Sequence, residues 1–128
     1  MFDSELAAAW LRAFRPPEKV APSVFAEREI RLSASANALP GPLRLASYQR
    51  EIVDAMADDD TEVIVLKLSS QVGKSLSVLA MLMYVIGVDP GPAMHVSPTG
   101  PKSEEFVRDR FDTLVSRSPT LKQLIGKG

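Results

Sequence analysis

The sequence has no cysteine, so neither a disulfide framework nor a thiolate metal site can form. It has one histidine, His95, which excludes a histidine cluster for metal binding. No charge of either sign dominates: 15 Lys and Arg against 16 Asp and Glu leave a net charge of -1, with no basic footprint for nucleic acid, so any DNA contact has to be local or made by other sequence. Long hydrophobic runs are missing as well. The longest, residues 78–88, falls short of the roughly 20 residues that a bilayer-spanning helix needs, and residues 1–30 carry no basic-then-apolar signal pattern. These absences point to a chain of the cytoplasm without a membrane partner. What remains is ordinary globular material, 45% hydrophobic and 24% charged, in a chain of 128 residues that suits one domain. Ten prolines punctuate it between elements without forming a low-complexity tract.

Hydrophobic spacing predicts a short amphipathic helix over residues 4–14, where Leu6, Trp10, Leu11 and Phe14 share a stripe before Pro16 and Pro17 end it. A second helix is expected to start at Ser23 as N-cap and run to about Arg31. The small, polar, Pro/Gly-rich residues 33–44 read as a linker or wrapped arm. A third helix follows Ser47, with Tyr48, Ile52, Val53 and Met56 on one face, and the acidic Asp58, Asp59 and Asp60 close it.

From Glu62 the pattern changes. Val63, Ile64, Val65 and Leu66 form a β-branched apolar run of the kind found in a parallel strand covered on both faces. Residues 69–75 turn the chain. Residues 76–86 are apolar nearly all round, so this helix should pack against a sheet with little exposed face, and Gly87 should stop it. Residues 93–97 read as a second short strand, and a helix from Pro101 carries Val107, Phe111, Leu114 and Val115 on one side. Ser118 and Pro119 open a last turn or helix. Strand, loop, helix, strand, loop, helix is the opening of a right-handed parallel α/β unit. Two strands are few for such a sheet, so the chain is expected to be a piece, truncated after two core strands. The expected division is a helical arm and linker over residues 1–46 and an α/β core over residues 47–128.

Between that strand and helix stand Leu68, Ser69, Ser70, Gln71, Val72, Gly73, Lys74 and Ser75, in the window of a Walker A loop. Gly73 lets the backbone approach phosphate without a Cβ. The loop amides and the helix N-terminus present positive dipole ends, Lys74 adds a point charge, and Ser75 can ligate Mg²⁺. Leu68 stands where the general pattern has its first glycine. Upstream, Gln49 follows Tyr48; its amide can pair bidentately with adenine, or it can be a solvated helical glutamine beside a core tyrosine. His95 reads as a packed residue of the second strand.

Tyr48-Gln49-Arg50-Glu51-Ile52, the loop Ser69 to Ser75, and Pro98-Thr99 followed by Glu104-Glu105-Phe106 together resemble the terminase large subunit family of tailed phages, in its lambda-like branch. Phe25, Arg31-Leu32-Ser33 and Gly41-Pro42 resemble that branch's lead-in, so the similarity spans about residues 20–125. Terminases commonly lack the first Walker glycine, which fits Leu68. The resemblance implies a P-loop NTPase with a RecA/helicase-like parallel sheet, ATP and Mg²⁺ as ligands, and a role in the ATP-driven motor that packages double-stranded DNA in the bacterial host. It also implies a terminase small subunit and a portal as partners and, in the whole protein, an endonuclease. On this basis Ser69, Ser70, Gln71, Val72, Gly73, Lys74 and Ser75 would cradle the phosphates, with Lys74 and Ser75 serving the chemistry, Ser75 holding Mg²⁺, and Gln49 contacting adenine. Pro98-Thr99 would correspond to the helicase-like motif that couples nucleotide state to DNA. Many members carry a basic residue early in the loop, where this chain has Ser70. An acidic Mg²⁺ partner at the end of a later strand does not follow Ser97 in this sequence, and Asp58 to Asp60 read as a solvated turn. A second expectation is therefore a truncated prophage remnant or adaptor that binds nucleotide without turnover.

Overall fold

The computed structural model describes residues 3–16, 19–32, 40–69 and 73–125. Helix α1 (Ser4–Ala13) forms as its periodicity predicts, but none of its residues is buried. Trp10 stacks on Phe14 with ring centroids 5.4 Å apart, and the expected cover for this stripe is not supplied by the described residues.

Helix α2 (Pro22–Glu29) begins one residue earlier than its expected cap. Ala21 precedes it without a side-chain oxygen to offer, and Ser23 lies inside the first turn. Ser23 donates its backbone N–H and its hydroxyl to the two carboxylate oxygens of Asp54, each at 2.8 Å, so a carboxylate from elsewhere in the chain does the capping. Asp54 ends helix α3 (Ser47–Asp54), which continues as a 3-10 turn over Ala55–Ala57. Glu27 makes a second tie, accepting from the Leu45 N–H at 2.8 Å and, with both carboxylate oxygens, from the Arg50 guanidinium at 2.6 and 2.8 Å. Between these helices β1 (Arg31–Leu32) and β2 (Gly41–Pro42) make a minimal antiparallel bridge, Arg31 opposite Pro42 and Leu32 opposite Gly41. Most of the expected linker lies outside the described residues; its far end is this bridge.

Helix α4 (Lys74–Gly87) is the central element, and its apolar circumference is explained by what surrounds it: α2, α3 and α7 (Pro119–Ile125) all pack on it. Phe25, Ala26, Ile30, Leu43 and Leu45 from the first part of the chain meet Val53, Leu79, Ala80, Met83, Leu114 and Leu121 in one buried core. The helix ends at Gly87 as expected, and a Cβ there would overlap the Phe25 ring, so this glycine also serves close packing at the helix end. The last long element begins at Thr99, whose hydroxyl accepts from the Lys102 N–H at 3.4 Å. It runs as α5 (Gly100–Glu105), a π-helical turn (Phe106–Phe111) and α6 (Asp112–Arg117). Ser118 then accepts from the Leu121 N–H at 3.4 Å and donates to Glu29 at 3.2 Å, opening α7 where the sequence predicted a last helix.

The parallel sheet expected from the sequence is not formed among the described residues. β1 and β2 make the only strand pairing there, and it is antiparallel. Residues 63–69 and 94–97 keep the period-two alternation of strands: Ile64, Leu66, Leu68, His95 and Ser97 are half-buried, while Val63, Val65, Met94 and Val96 are 74–86% exposed. Apolar residues therefore sit on both faces as expected, but only one face is covered. A strand is defined by a backbone partner, and no described segment offers these two one.

Candidate functional site

The strand-like residues 63–69 lead toward the start of α4, and Gly73 makes the turn into it. Its backbone lies in the left-handed region, φ 83 and ψ 22, which costs a residue with a Cβ about 1–2 kcal/mol. The Gly73 carbonyl accepts from the Ser77 N–H at 2.9 Å and the Ser77 hydroxyl at 3.2 Å, which fixes the first helical turn. Among the described residues no acidic side chain lies in that turn and none caps it, so they leave the positive end of the α4 dipole open to an anion. Lys74 folds back over the loop: its ammonium donates to the carbonyls of Leu68 at 2.7 Å and Ser69 at 2.8 Å. An ammonium has three hydrogens, so one remains for a further acceptor. Ser75 is exposed at the head of the helix. Ser70, Gln71 and Val72, the middle of the expected cradle, lie outside the described residues.

Gln49 comes to the same place from α3. Its amide oxygen accepts from the Ala46 N–H at 2.9 Å, the reaching-back half of a capping box, and its amide nitrogen lies against Gly73 so closely that a Cβ there would overlap it. The structure thus brings Gln49, Gly73 and Lys74 together from positions far apart in sequence. Tyr48, expected on the buried face of α3, is 46% exposed, whereas Val53 is buried.

A cleft of about 680 Å³ opens beside the head of α4. Lys74, Ser75 and Val78 form one wall; the other comes from His95, Ser97, Pro98 and Thr99 together with Lys102, Glu105, Phe106 and Arg110. Pro98-Thr99 therefore faces the same space as the loop lysine. Lys102 and Glu105 pair across one helical turn at 3.0 Å. His95 is half-buried and stacks flat on Phe106, centroids 3.8 Å apart and planes 8° from parallel, with its Nδ1 buried and without a hydrogen bond. It is a packing residue of the second strand-like segment, as the sequence indicated. Sequence reasoning missed Arg110. The four-residue spacing Lys102, Phe106, Arg110 was the available signal, although an α-helical reading centres that face on Asp109 and leaves Arg110 at its margin.

No group of three or more metal-binding side chains exists among the described residues. The Asp58 carboxylate accepts from the Asp60 N–H at 3.1 Å and the Thr61 hydroxyl at 3.3 Å in a local exposed turn, in keeping with the solvated reading. Among the described residues the titration of two groups is displaced, both away from the loop. Burial, then the charges of Asp89 and Asp54, raise the Tyr84 phenol, while a hydrogen bond from its guanidinium to Asp109 holds Arg108 in its charged form.

A strand-like lead, a left-handed glycine and a lysine heading an apolar helix with an open N-terminus are the arrangement of phosphate-loop nucleotide-binding proteins. Over residues 37–128 the sequence matches the family described as phage terminase large subunit gpA, ATPase domain, and the chain belongs to that family. The match places it in the ATPase part of the viral DNA-packaging machinery, with a P-loop NTPase type of fold and ATP as its nucleotide. No curated protein and no solved structure gives a significant match. No helix among the described residues is long and apolar enough to cross a membrane.

Proposed function

We propose that residues 68–75 are the Walker A loop of this ATPase domain and bind the phosphates of Mg-ATP, as part of the motor that drives double-stranded DNA into the phage head in the bacterial cytoplasm. The observation that carries this reading is the fold of Lys74 over the loop carbonyls beside the left-handed Gly73, at the open N-terminus of α4. Gly73 would admit phosphate, Lys74 would contribute its remaining hydrogen and its charge, and exposed Ser75 would hold Mg²⁺, the ion that neutralises charge on the transferring phosphoryl group. Ser69, Ser70, Gln71 and Val72 would complete the cradle. Gln49 would select adenine by turning toward the base the amide that now rests on Gly73. Residues 47–128 would make up the ATPase core and residues 1–46 an arm, although Phe25, Ala26, Ile30, Leu43 and Leu45 share the core's interior. By family membership the whole protein would also cut concatemeric DNA and work with the small subunit and the portal.

A second reading has an observation in its favour. Among the described residues Glu105 is the only carboxylate lining the cleft, and it is engaged by Lys102, so they offer no free acid there to help hold Mg²⁺. This chain by itself would then bind nucleotide without turning it over, as an inactive remnant or adaptor. Titration calorimetry with Mg-ATP on the parent chain and on Lys74→Ala tests the binding. Loss of charge-assisted hydrogen bonds should weaken it by roughly 10–100-fold. A variant that binds as well as the parent would remove the loop assignment. A steady-state ATPase assay separates the two readings, since Lys74-dependent turnover by the chain alone excludes the inactive one.

A further inference from the structure

The cleft beside α4 holds a cation that the loop reading does not use. Of the three basic residues lining it, Lys102 is neutralised by Glu105 at 3.0 Å, and Lys74 is anchored on two carbonyls. Arg110 has no hydrogen bond or ion pair with a described group. Its place there is the work of the backbone. Along an uninterrupted α-helix the face of Lys102, Glu105 and Phe106 continues to Asp109 at its centre, with Arg110 only at its edge. The helix instead widens into a π turn over Phe106–Phe111, in which the Asp112 N–H reaches the Val107 carbonyl five residues back. One residue more per turn carries Asp109 off the cleft, where it pairs with Arg108 at 2.9 Å, and brings Arg110 on. π turns cost backbone geometry and occur often at functional sites. Here the consequence is an exchange of a carboxylate for a guanidinium opposite the loop lysine. Phe106, the first residue of the turn, is held by the flat stack of His95, so the register is fixed from the second strand-like segment.

We infer that Arg110 is a second phosphate-binding residue, which receives the terminal phosphate of ATP across the cleft from Lys74 and so makes the site prefer the triphosphate over the diphosphate. The inference rests on the phosphate-loop reading above. The guanidinium fork suits a phosphate oxygen pair, and the terminal group of a nucleotide held at the α4 N-terminus carries the most charge. Sequence position 70 is a serine and contributes no charge of its own.

Binding of Mg-ATP and Mg-ADP to the full chain, compared with Arg110→Ala, Arg108→Ala and the exchange Asp109→Arg with Arg110→Asp, tests this; circular dichroism confirms that each variant is folded. Arg110→Ala should lose ATP affinity by roughly tenfold or more while ADP affinity stays within about twofold. Arg108→Ala should change neither. The exchange keeps the net charge but returns a carboxylate to the cleft, so it should lose ATP affinity at least as strongly as Arg110→Ala. Equal loss of ATP and ADP, or an exchanged variant that keeps the triphosphate preference, overturns the role of Arg110 while leaving the loop intact. A parent chain that binds neither nucleotide overturns the loop reading, and this inference with it.

Discussion

Replacing Gly73 with alanine probes how the adenine candidate and the phosphate loop are built into one another. Two separate costs follow from the structure. The left-handed backbone at φ 83 penalises any Cβ by about 1–2 kcal/mol. The new methyl would also overlap the Gln49 amide nitrogen, so Gln49 must swing away and release the Ala46 N–H, a capping interaction of about 1 kcal/mol. Gly73→Ala should therefore destabilise the chain by about 2–3 kcal/mol. In a Gln49→Ala background the obstacle and the cap are already gone, and the same change should cost only the backbone part, about 1–2 kcal/mol. Urea denaturation of the parent, both single variants and the double variant closes the cycle. The expected coupling is about 1 kcal/mol, with the double variant more stable than the sum of the singles predicts. Additivity within about 0.3 kcal/mol would refute the claim that Gln49 and Gly73 are in contact.

Asp54→Ala removes the carboxylate that receives both Ser23 donors at the start of α2. Two charge-assisted hydrogen bonds of this kind are worth about 2–3 kcal/mol together, so thermal melting should show a fall in Tm of about 10 °C, and an unchanged Tm would mean the contact does not hold α2. Tyr84 gives a pH dependence: its phenol titrates above the ordinary 10.0 in the folded chain, because burial and nearby carboxylates disfavour the phenolate. The unfolded chain then ionises first as pH rises, so the stabilising contribution is complete below about pH 10 and is lost as pH climbs through the raised value. Urea midpoints measured from pH 9 to 12 should decline less steeply for Tyr84→Phe than for the parent; parallel declines would contradict the assignment.

Much of the local structure was legible in the sequence because short-range rules govern it. The stripe of α1, the apolar girth of α4 and the start of α7 at Ser118-Pro119 all follow from spacing and punctuation. The α2 cap was misplaced because Ala21 and Ser23 were weighed without Asp54, which lies 31 residues away and cannot be inferred from local preference. Gly87 ends α4 as its punctuation predicts, whereas its contact with Phe25 is tertiary and has no local signal. The strand-like runs carry the right alternation, but pairing is decided by backbone partners that no hydropathy pattern names. At the candidate site Gly73, Lys74 and Ser75 were visible because phosphate binding constrains residue type at fixed offsets. The meeting of Gln49 with Gly73 follows from no local rule; the fit of its amide to adenine and the family resemblance were the hints. Arg110 escaped because a π turn changes the helical period, and nothing in Phe106-Val107-Arg108-Asp109-Arg110-Phe111 signals that change.

The central claim is that nucleotide phosphates sit at the head of α4. Backbone amide chemical shifts of the isotopically labelled chain, followed through a titration with Mg-ATP, test it most directly. The account predicts the largest and saturable changes at the amides of Gly73, Lys74, Ser75 and Leu76 and at the Gln49 side-chain amide, all abolished in Lys74→Ala. Saturable changes confined to α1 or α7, with Gly73 and Lys74 unmoved, would contradict it.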